Sequence, residues 1–468
     1  MSGRKKIAVI GGGIAGLAAA LEVCADAEVE ILEAAGSVGG VVSTLREGGF
    51  VIERGPDSFF SDEETAGFLS KIGISGDRLI AASERGRRVF IMSNGRAVAL
   101  PEGFFMTAPR KLAPFLASPL FSFSCKLRTL AEFFVPARRG GTEESVADFV
   151  RRRFGDEILA KAVAPLVGGI YCAPPEVLGA ESALPEFVAM ERERGSVLRG
   201  LLGRGEGKGE SGARFGRFFS PAGGMSEIVE AAVRALPQNC VRTGFEVSSL
   251  VKKGGAWEIV SNKGETARAD AVVVAAPCGA ASSMLSDTDA ELSALLASVR
   301  YSSCAVASLA YGNDLLTGVP DGFGVLFPDT KPGRVFACSF LSRKFPGRAP
   351  GGQTVIRFFM GGDEVCGLSG EEIVSRARDT AREVFRASGE PSVAAVGNYR
   401  RRMPVYEPGH KELVSRIMNA ARRTGGIALA GAAYGGVGIP DCIRGGRRAG
   451  ADALGLASRD LRKPRGEG

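Results

Sequence analysis

The glycine run near the start of the chain has the residue types and spacing of a phosphate-binding turn. Gly11, Gly13 and Gly16 follow the apolar stretch Lys6–Ile10 and precede a helix-forming stretch that ends at Cys24. In a strand–turn–helix unit the first glycine permits the turn, the second lets the backbone approach a pyrophosphate, and the third lets the helix sit close to the strand. The free N–H groups at the start of the helix then face the phosphates.

A carboxylate follows where such a unit needs one. The next apolar stretch, Val29–Leu32, ends in Glu33, at the spacing of about 20 residues where a carboxylate binds the hydroxyls of an adenosine ribose. On this motif alone NAD and FAD fit equally well, and a glycine-rich turn in an ordinary α/β protein is the simplest alternative. We predict a bound adenine dinucleotide, held by Gly11, Gly12, Gly13, Ile14, Ala15, Gly16, Glu33 and Ala34.

Length and composition indicate a large folded protein rather than a membrane-spanning one. The chain has 468 residues, of which 45% are hydrophobic and 24% are charged, so it can form more than one core. A spanning helix needs roughly 20 consecutive apolar residues, and no uninterrupted apolar run in the chain approaches that length. The first few residues lead directly into the first predicted strand, so we expect no signal peptide and a cytoplasmic location.

The cysteines and the single histidine exclude several kinds of chemistry. Nine cysteines are scattered along the chain and none forms a C-x-x-C pair, which favours reduced thiols over a disulfide framework or a zinc site. His410 is the only histidine, so a Ser-His-Asp triad and a multi-histidine metal site are disfavoured elsewhere. For His410 itself we expect a structural role in a loop, and we predict no metal.

Buried strands recur in the middle and at the end of the chain. Residues 271–276 and 426–431 are almost wholly apolar and do not alternate with polar residues, which is typical of a central parallel sheet. A charged, glycine-rich stretch at 203–216 is typical of a loop. We predict an α/β fold with a discontinuous Rossmann-like cofactor domain and two inserted units. The predicted divisions are 1–85 with 215–295 and 412–468 for the cofactor domain, 86–214 for a helical, membrane-associating lobe, and 296–411 for an α+β substrate domain.

A basic, phenylalanine-rich segment suggests a membrane surface. Residues 85–139 contain ten Lys or Arg and two acids. Phe123, Leu127, Leu130 and Phe134 are spaced by four, three and four, which puts them on one face of a helix. Basic charge beside such a face is typical of a segment that lies on an anionic membrane. A helical subdomain packed on its own core is the alternative, and the apolar surroundings argue against nucleic acid.

Several further motifs carry a family resemblance over nearly the whole chain. Together they resemble the FAD-containing amine oxidase superfamily and, within it, the oxygen-dependent protoporphyrinogen and coproporphyrinogen III oxidases. The motifs are Gly39-Gly40, Gly55–Phe59, Gly168–Tyr171 with Met190–Glu193, Ala275–Pro277, Pro404–His410, Gly431 and Tyr434–Ile443. Three positions depart from the pattern: Val38 and Val41 stand where the superfamily often has arginine, and Val89 replaces an aromatic residue after Arg88.

The resemblance implies an FAD enzyme that oxidises a porphyrinogen to a porphyrin in three two-electron rounds, with O₂ as acceptor and H₂O₂ as product. Because the flavin carries the chemistry, no catalytic side chain is implied. The implied substrate contacts are Arg88, paired with a propionate, and Phe323, Gly324, Leu326 and Phe359, with Gly324 leaving space for the ring. The further cofactor contacts are Gly40, Val41, Gly55, Pro56, Asp57, Ser58, Val247, Val437, Gly438 and Ile439.

Two other functions remain open from the sequence. One is another flavin oxidase of the superfamily, acting on amines or polyenes, although Ala432 stands where amine oxidases tend to carry an acid. The other is a non-catalytic flavoprotein that docks on membranes. The sequence leaves open whether the substrate is protoporphyrinogen IX or coproporphyrinogen III, and whether the chain forms a homodimer. The resemblance implies a peripheral location on the inner face of the cell membrane.

Overall fold

The computed structural model describes residues 4–459 except 85, 204–217, 329–330 and 332. Most of the glycine-rich stretch at 203–216 therefore lies outside the described residues, as does Arg85 of the basic segment. The described strands are β1 (Lys6–Ile10), β2 (Glu28–Glu33), β3 (Thr44–Glu47), β4 (Phe50–Glu53), β5 (Phe59–Phe60), β6 (Leu79–Ala81), β7 (Val89–Ser93), β8 (Arg96–Ala99), β9 (Phe104–Phe105), β10 (Ala108–Pro109), β11 (Phe218–Pro221), β12 (Val241–Thr243), β13 (Val247–Lys253), β14 (Ala256–Ser261), β15 (Thr266–Ala269), β16 (Ala271–Val274), β17 (Tyr301–Gly312), β18 (Gly324–Leu326), β19 (Val335–Phe340), β20 (Gln353–Gly361), β21 (Val393–Pro404) and β22 (Ile427–Leu429).

The helices of the described residues lie between these strands and after them. They are α1 (Ile14–Val23), α2 (Glu63–Lys71), α3 (Leu112–Ala117), α4 (Phe123–Leu130), α5 (Val146–Phe154), α6 (Asp156–Ile158), α7 (Ala164–Tyr171), α8 (Ala180–Ala183), α9 (Pro185–Arg194), α10 (Val197–Gly203), α11 (Ser226–Ala235), α12 (Cys278–Leu285), α13 (Ala290–Ala297), α14 (Leu341–Lys344), α15 (Asp363–Cys366), α16 (Gly370–Phe385), α17 (His410–Thr424), α18 (Ala432–Gly435) and α19 (Ile439–Arg459).

A five-stranded parallel sheet collects strands from the start, middle and end of the chain. Its order is β12-β2-β1-β16-β22, and every neighbouring pair is parallel. Apolar side chains cover both of its faces. One core contains Ile7 and Val9 with α1, α11 and α19, and the other contains Ala8 and Ile10 with α12, α13 and α17. Burial on both faces explains why these strands are apolar without alternation, and the predicted α/β fold is confirmed.

Helices α1 and α19 pack unusually close together along this sheet. A Cβ on Gly446 would lie 2.1 Å from the carbonyl oxygen of Ala15, and one on Gly450 would lie 2.6 Å from that of Ala19. Because residue 446 faces 15 and residue 450 faces 19, the two helices run in the same direction. Glycine is therefore required at both positions, and the start of α19 extends beyond the start of α1.

A second, seven-stranded sheet has the order β21-β17-β20-β19-β18-β7-β8. Its strands β7 and β8 come from residues 89–99, which the predicted divisions place in the helical lobe. They join this sheet through the parallel pairing of β7 with β18, in which Val89 faces Gly324. Strands β7 and β18 are far apart in the sequence, and no local sequence pattern predicts a pairing between such distant segments. The helical region therefore begins after residue 100.

The helical region, residues 112–203, is held together by a fully buried ion pair. Arg153 Nε lies 3.0 Å from a Glu132 carboxylate oxygen, and neither side chain is exposed. The guanidinium also donates to the carbonyls of Val135 and Gly195, at 2.8 Å each. Glu132 accepts the Val197 N–H at 2.8 Å at the start of α10. Since a buried charge is tolerated only when paired and hydrogen-bonded, this pair fixes how α5, α9 and α10 meet.

Candidate functional site

The glycine turn between β1 and α1 is shaped by backbone contacts that admit no side chain. A Cβ on Gly16 would lie 1.9 Å from the carbonyl oxygen of Gly11. Gly11 itself has a φ of +102°, and a Cβ there would lie 2.8 Å from the carbonyl oxygen of Ala275. No described atom lies within 4 Å of a Cβ built on Gly13. The turn is thus closed on the protein side and open at Gly13, as a phosphate-binding cradle requires.

Glu33 is fixed at the end of β2, beside this turn. Its carboxylate accepts the Gly12 N–H at 2.6 Å and the Ala35 N–H at 2.8 Å. A carboxylate has further lone pairs for ligand hydroxyls, so these bonds orient the group without using it up. Phe245 donates its N–H to the Glu33 carbonyl at 2.9 Å, which brings the start of β13, with the buried Val247, close to the end of β2.

The second glycine pair lies against the first turn. Gly39 forms a parallel bridge with Gly13 and donates its N–H to the Gly12 carbonyl at 2.9 Å. Val41 then stands 40% exposed. A Cβ on Gly55 would lie 1.8 Å from the carbonyl oxygen of Val41. The glycine turn, the 39–41 loop and the 55–58 turn therefore form one continuous surface.

Asp57 anchors the 55–58 turn rather than facing a ligand. Its carboxylate lies 2.8 Å from Lys344 Nζ and 3.0 Å from Arg357 Nη1, and it accepts the Ser58 hydroxyl at 2.6 Å. Burial alone would raise the pKa of Asp57, but the two cations hold it well below its usual range. Arg357 also donates to the Gly55 carbonyl. The carboxylate that we predicted as a cofactor contact is thus committed to joining this turn to the seven-stranded sheet.

The block at 437–439 completes the surface at the start of α19. Side-chain oxygen Oδ2 of Asp441 lies beneath the loop, so a Cβ on Gly436 would come within 2.3 Å of it and one on Gly438 within 2.9 Å. Because α19 runs alongside α1, its first residue, Ile439, lies about 9 Å beyond the start of α1 at 1.5 Å per residue. The block therefore extends the surface past the glycine turn.

All the predicted cofactor residues follow the carboxyl ends of parallel strands or contact loops that do. The glycine turn follows β1, Glu33 ends β2, Val247 comes after β12, and the 437–439 block comes after β22. In open α/β sheets the ligand crevice lies at this edge. The residues present fit an extended dinucleotide that starts at Gly13 and reaches toward Val437.

A cleft of about 640 Å³ opens between helices α7 to α9 of the helical region, the start of α17 and the 434–437 segment that leads into α19. This volume is within the range of small-molecule sites, about 300–1,000 Å³. The lining is mostly apolar and aromatic, with a few polar groups. It includes Phe105, Met106, Ile170, Tyr171, Phe187, Tyr406, His410, Lys411, Tyr434, Val437 and Asp441.

A second cavity of about 420 Å³ contains Arg88 and shares Met106 with the cleft. Arg88 Nη2 lies 3.2 Å from Asp321 Oδ2, but its side chain is 61% exposed, so a ligand carboxylate can reach it. The Phe323 N–H donates to the Arg88 carbonyl at 2.8 Å. The predicted pair of Arg88 and Phe323 is therefore adjacent in the fold, although neither residue lines the larger cleft.

The other predicted substrate residues lie within the seven-stranded sheet. Leu326 and Phe359 pack in the core that the sheet shares with the helical region. Gly324 does not leave space for a ring as we expected, because a Cβ there would lie 2.3 Å from the carbonyl oxygen of Cys338. Glycine is needed at this position for the close approach of β18 and β19.

Most residues that line the cleft were not predicted as site residues, and His410 and two tyrosines are among them. The His410 ring stacks on Tyr406 with centroids 4.5 Å apart, and Tyr171 lies 6.0 Å from Tyr406. Nε2 of His410 donates to the Ala433 carbonyl at 2.8 Å. Tyr406 lies in the loop before α17 and His410 is the first residue of that helix. The P-x-Y-x-x-G-H motif contains both residues and is the signal that could have found them.

Comparison with known proteins shows the family. The model described as flavin containing amine oxidoreductase matches residues 14–454. The chain belongs to the flavin-containing amine oxidoreductase family. It is 33% identical to coproporphyrinogen III oxidase of Bacillus subtilis (strain 168), over 97% of this chain and 98% of that protein. It is 30% identical to coproporphyrinogen III oxidase of Propionibacterium freudenreichii subsp. freudenreichii, over 96% of this chain and 91% of that protein.

Solved structures agree with this family. A crystal structure from Exiguobacterium sp. 255-15, provisionally named a protoporphyrinogen oxidase, superimposes with a TM-score of 0.85 at 26% identity and covers 96% of this chain and 98% of that one. The resemblance predicted from the motifs and the prediction of FAD as cofactor are confirmed. This oxidoreductase has nine free cysteines, and none of its described residues forms a group of three or more His, Cys, Asp or Glu side chains that could hold a metal ion.

The glycine turn provides a first test. We expect Gly16→Ala to lose most of its bound flavin, because the added methyl group meets a backbone oxygen that cannot move without shifting the turn. Flavin absorbance after gel filtration measures the retained cofactor. Gly67→Ala is the matched control, since Gly67 is exposed on α2 with no described atom within 4 Å of its Cβ position. Full flavin content in the Gly16→Ala variant would contradict the assignment of the Gly11–Gly16 turn as the cofactor-binding turn.

His410 should make stability depend on pH. Burial lowers the pKa of His410 from its usual 6.5, outweighing the Ala433 carbonyl and the nearby Glu143 and Glu407. A depressed histidine pKa gives stability that is complete above the unfolded-state value and is lost as pH falls below about 6.5. His410→Gln keeps an N–H donor for Ala433 and should flatten the loss between pH 7.5 and 5.5 in urea unfolding. If the free energy of unfolding of His410→Gln falls with pH as steeply as that of the unchanged protein, other groups cause the pH dependence.

Proposed function

We propose that this oxidoreductase oxidises a porphyrinogen to the porphyrin in haem biosynthesis and passes the electrons to O₂. The observation that carries the proposal is the identity to coproporphyrinogen III oxidases over almost the full length of both chains. The cleft supports it, because a flat apolar macrocycle with carboxylate tails needs apolar walls and a few cations. The balanced reaction is porphyrinogen plus three O₂ giving porphyrin plus three H₂O₂.

When bound, FAD accepts two electrons at a time from a carbon of the macrocycle and returns them to oxygen. The backbone at Gly11–Gly16 and the Glu33 carboxylate would hold the dinucleotide part, and the loops at 39–41, 55–58 and 437–439 would hold the flavin part. These residues have no chemical step of their own. Their contribution is to fix the cofactor at the edge of the cleft so that the macrocycle meets it at close range.

The cleft residues orient the substrate and exclude water. His410 is not suited to act as a strong base, because its Nε2 proton is held by the Ala433 carbonyl and burial lowers its pKa. Burial disfavours the charged form of Tyr171 as well and raises its pKa to about 12, so the phenol stays protonated and neutral. A cleft with neutral aromatic walls suits the removal of hydride from an electron-rich ring, which needs no side-chain nucleophile.

Direct assay separates this proposal from the other flavin oxidases. The purified holoenzyme should convert coproporphyrinogen III or protoporphyrinogen IX to the fluorescent porphyrin, with three molecules of H₂O₂ released per porphyrin under air. Putrescine, in the same peroxide assay, should give no signal above the flavin-depleted Gly16→Ala control. Peroxide release with the amine, or bound flavin with no turnover of either porphyrinogen, would contradict the proposal.

We further propose that the protein docks on an anionic membrane through the helical region. Three of the four residues of the predicted face are exposed, with Phe123 76%, Leu127 52% and Phe134 84% accessible, and Leu130 is half-buried. Lys126 lies on the same helix and has no ion-pair partner among the described residues. Arg128, another basic residue of the 85–139 segment, instead donates to the carbonyls of Arg152 and Arg153 at the end of α5. No helix among the described residues is long and apolar enough to cross a membrane.

Replacement of the exposed face tests the docking. Phe123→Ser, Leu127→Ser and Leu130→Ser combined should move the protein from the pellet to the supernatant when it is sedimented with vesicles that contain phosphatidylglycerol, since burial of this face supplies the affinity. Thermal unfolding of the variant should stay near that of the unchanged protein, because the side chains are not in the core. Equal sedimentation of both proteins would exclude this face.

A further inference from the structure

The charged side chains that line the 640 Å³ cleft are Lys411, Glu186 and Asp441. Asp441 is already committed: its Oδ1 lies 3.2 Å from Arg444 Nη2, and its Oδ2 lies beneath the 436–438 loop. Lys411 has no ion-pair partner among the described residues, and it is exposed in the first turn of α17. Among the described residues that line the cleft, it is therefore the cation available to a ligand.

Lys411 has a counterpart in the adjoining cavity. Arg88 lines the 420 Å³ cavity, and the two spaces share Met106. Met106 has a φ of +45°, a left-handed conformation that is uncommon for a residue with a long side chain. It stands in the turn between β9 and β10, at the junction of the two spaces. The two cavities therefore adjoin at Met106, with Lys411 in the lining of one and Arg87 and Arg88 in the lining of the other. Arg87 is paired with Glu84 at 3.2 Å and is only 20% exposed, so the more exposed Arg88 is the cation that a ligand can reach there.

We propose that Lys411 binds a substrate carboxylate and selects a porphyrinogen that carries propionates on more than one edge of the macrocycle. This inference rests on the proposed function and names the substrate within it. Coproporphyrinogen III has four propionates, whereas protoporphyrinogen IX has two, and vinyl groups replace the other two. With propionates at Arg88, the opposite edge of the ring faces Lys411, where the tetracarboxylate forms a charge-assisted hydrogen bond and the dicarboxylate presents an apolar group.

A lysine suits this position because its flexible stem lets the charge follow a mobile propionate. The aliphatic part of the side chain continues the apolar wall, and Val414 lines the cleft one helical turn later. His410, the residue before Lys411, fixes the start of α17 through its bond to the Ala433 carbonyl. The flexible lysine side chain therefore extends from a helix end whose backbone is held in place.

The test compares Lys411→Met with the unchanged holoenzyme on both substrates. Methionine keeps the length and removes the charge, so the KM for coproporphyrinogen III should rise about tenfold, as one charge-assisted bond is lost, with little change in kcat. The KM for protoporphyrinogen IX should not rise. Lys411→Arg should restore most of the affinity for the tetracarboxylate. Arg416→Met is the matched control, because Arg416 is exposed on the same helix and does not line the cleft.

Binding of the products gives a readout without turnover. Quenching of porphyrin fluorescence should show weaker binding of coproporphyrin III to Lys411→Met and unchanged binding of protoporphyrin IX. Equal effects on both porphyrins, or no effect on either, would overturn the assignment of Lys411 and leave the proposed oxidation intact. If the unchanged holoenzyme oxidises neither porphyrinogen, the proposed function itself fails. Flavin content and thermal unfolding confirm that each variant is folded.

Discussion

Buried charge pairs at the joint between the two large sheets hold the site together. Asp57 lies between Lys344 and Arg357, and all three side chains are at most 12% exposed. Close by, Glu53 and Arg348 are fully buried and lie 3.6 Å apart. Removal of one member of such a pair leaves an uncompensated charge in the interior, at a cost of about 3–5 kcal/mol. The turn that bears on the cofactor surface is therefore held in register with the sheet that bears Leu326 and Phe359.

Glu53 shows how far this joint extends. It accepts the Met225 N–H at 2.9 Å and the Thr44 hydroxyl at 2.6 Å, so the same carboxylate reaches β3, β4 and the start of α11. Burial raises the pKa of Glu53, although Thr44 and Arg348 oppose the shift. Charged side chains that are costly to bury are thus found where segments distant in sequence come together.

Close backbone contacts shape the cofactor edge of the sheet, whereas side chains form the cleft. Glycines at 11, 16, 446 and 450 let α1 and α19 lie against the sheet and against each other, and the resulting edge is shaped for a dinucleotide. Side chains supply the cleft, where aromatic walls and few charges suit a macrocycle. The exposed apolar face of α4 lies in the helical region, whose helices α7 to α9 also line the cleft.

Local signals in the sequence predicted much of the cofactor site. The spacing of Gly11, Gly13 and Gly16 between two apolar strands, with Glu33 after the second, requires a strand–turn–helix unit, and the structure forms that unit. The helical spacing of Phe123, Leu127 and Leu130 predicted one face of α4. These predictions depend on contacts between residues that are near one another in the sequence, which the chain fixes through φ angles, helix periodicity and burial pattern.

Tertiary structure alone decided what the long-range contacts do. The sequence could not show that Asp57 is neutralised by Lys344 and Arg357, that Arg128 binds the end of α5, or that Gly324 is needed for a strand pairing rather than for ligand space. Nor could it show that β7 and β8 cross into the second sheet, or that His410 and Lys411 line the cleft. Each outcome depends on which groups from distant parts of the chain meet in the folded protein. Only the packing of the whole fold determines whether a charged side chain finds an internal partner or stays available to a ligand.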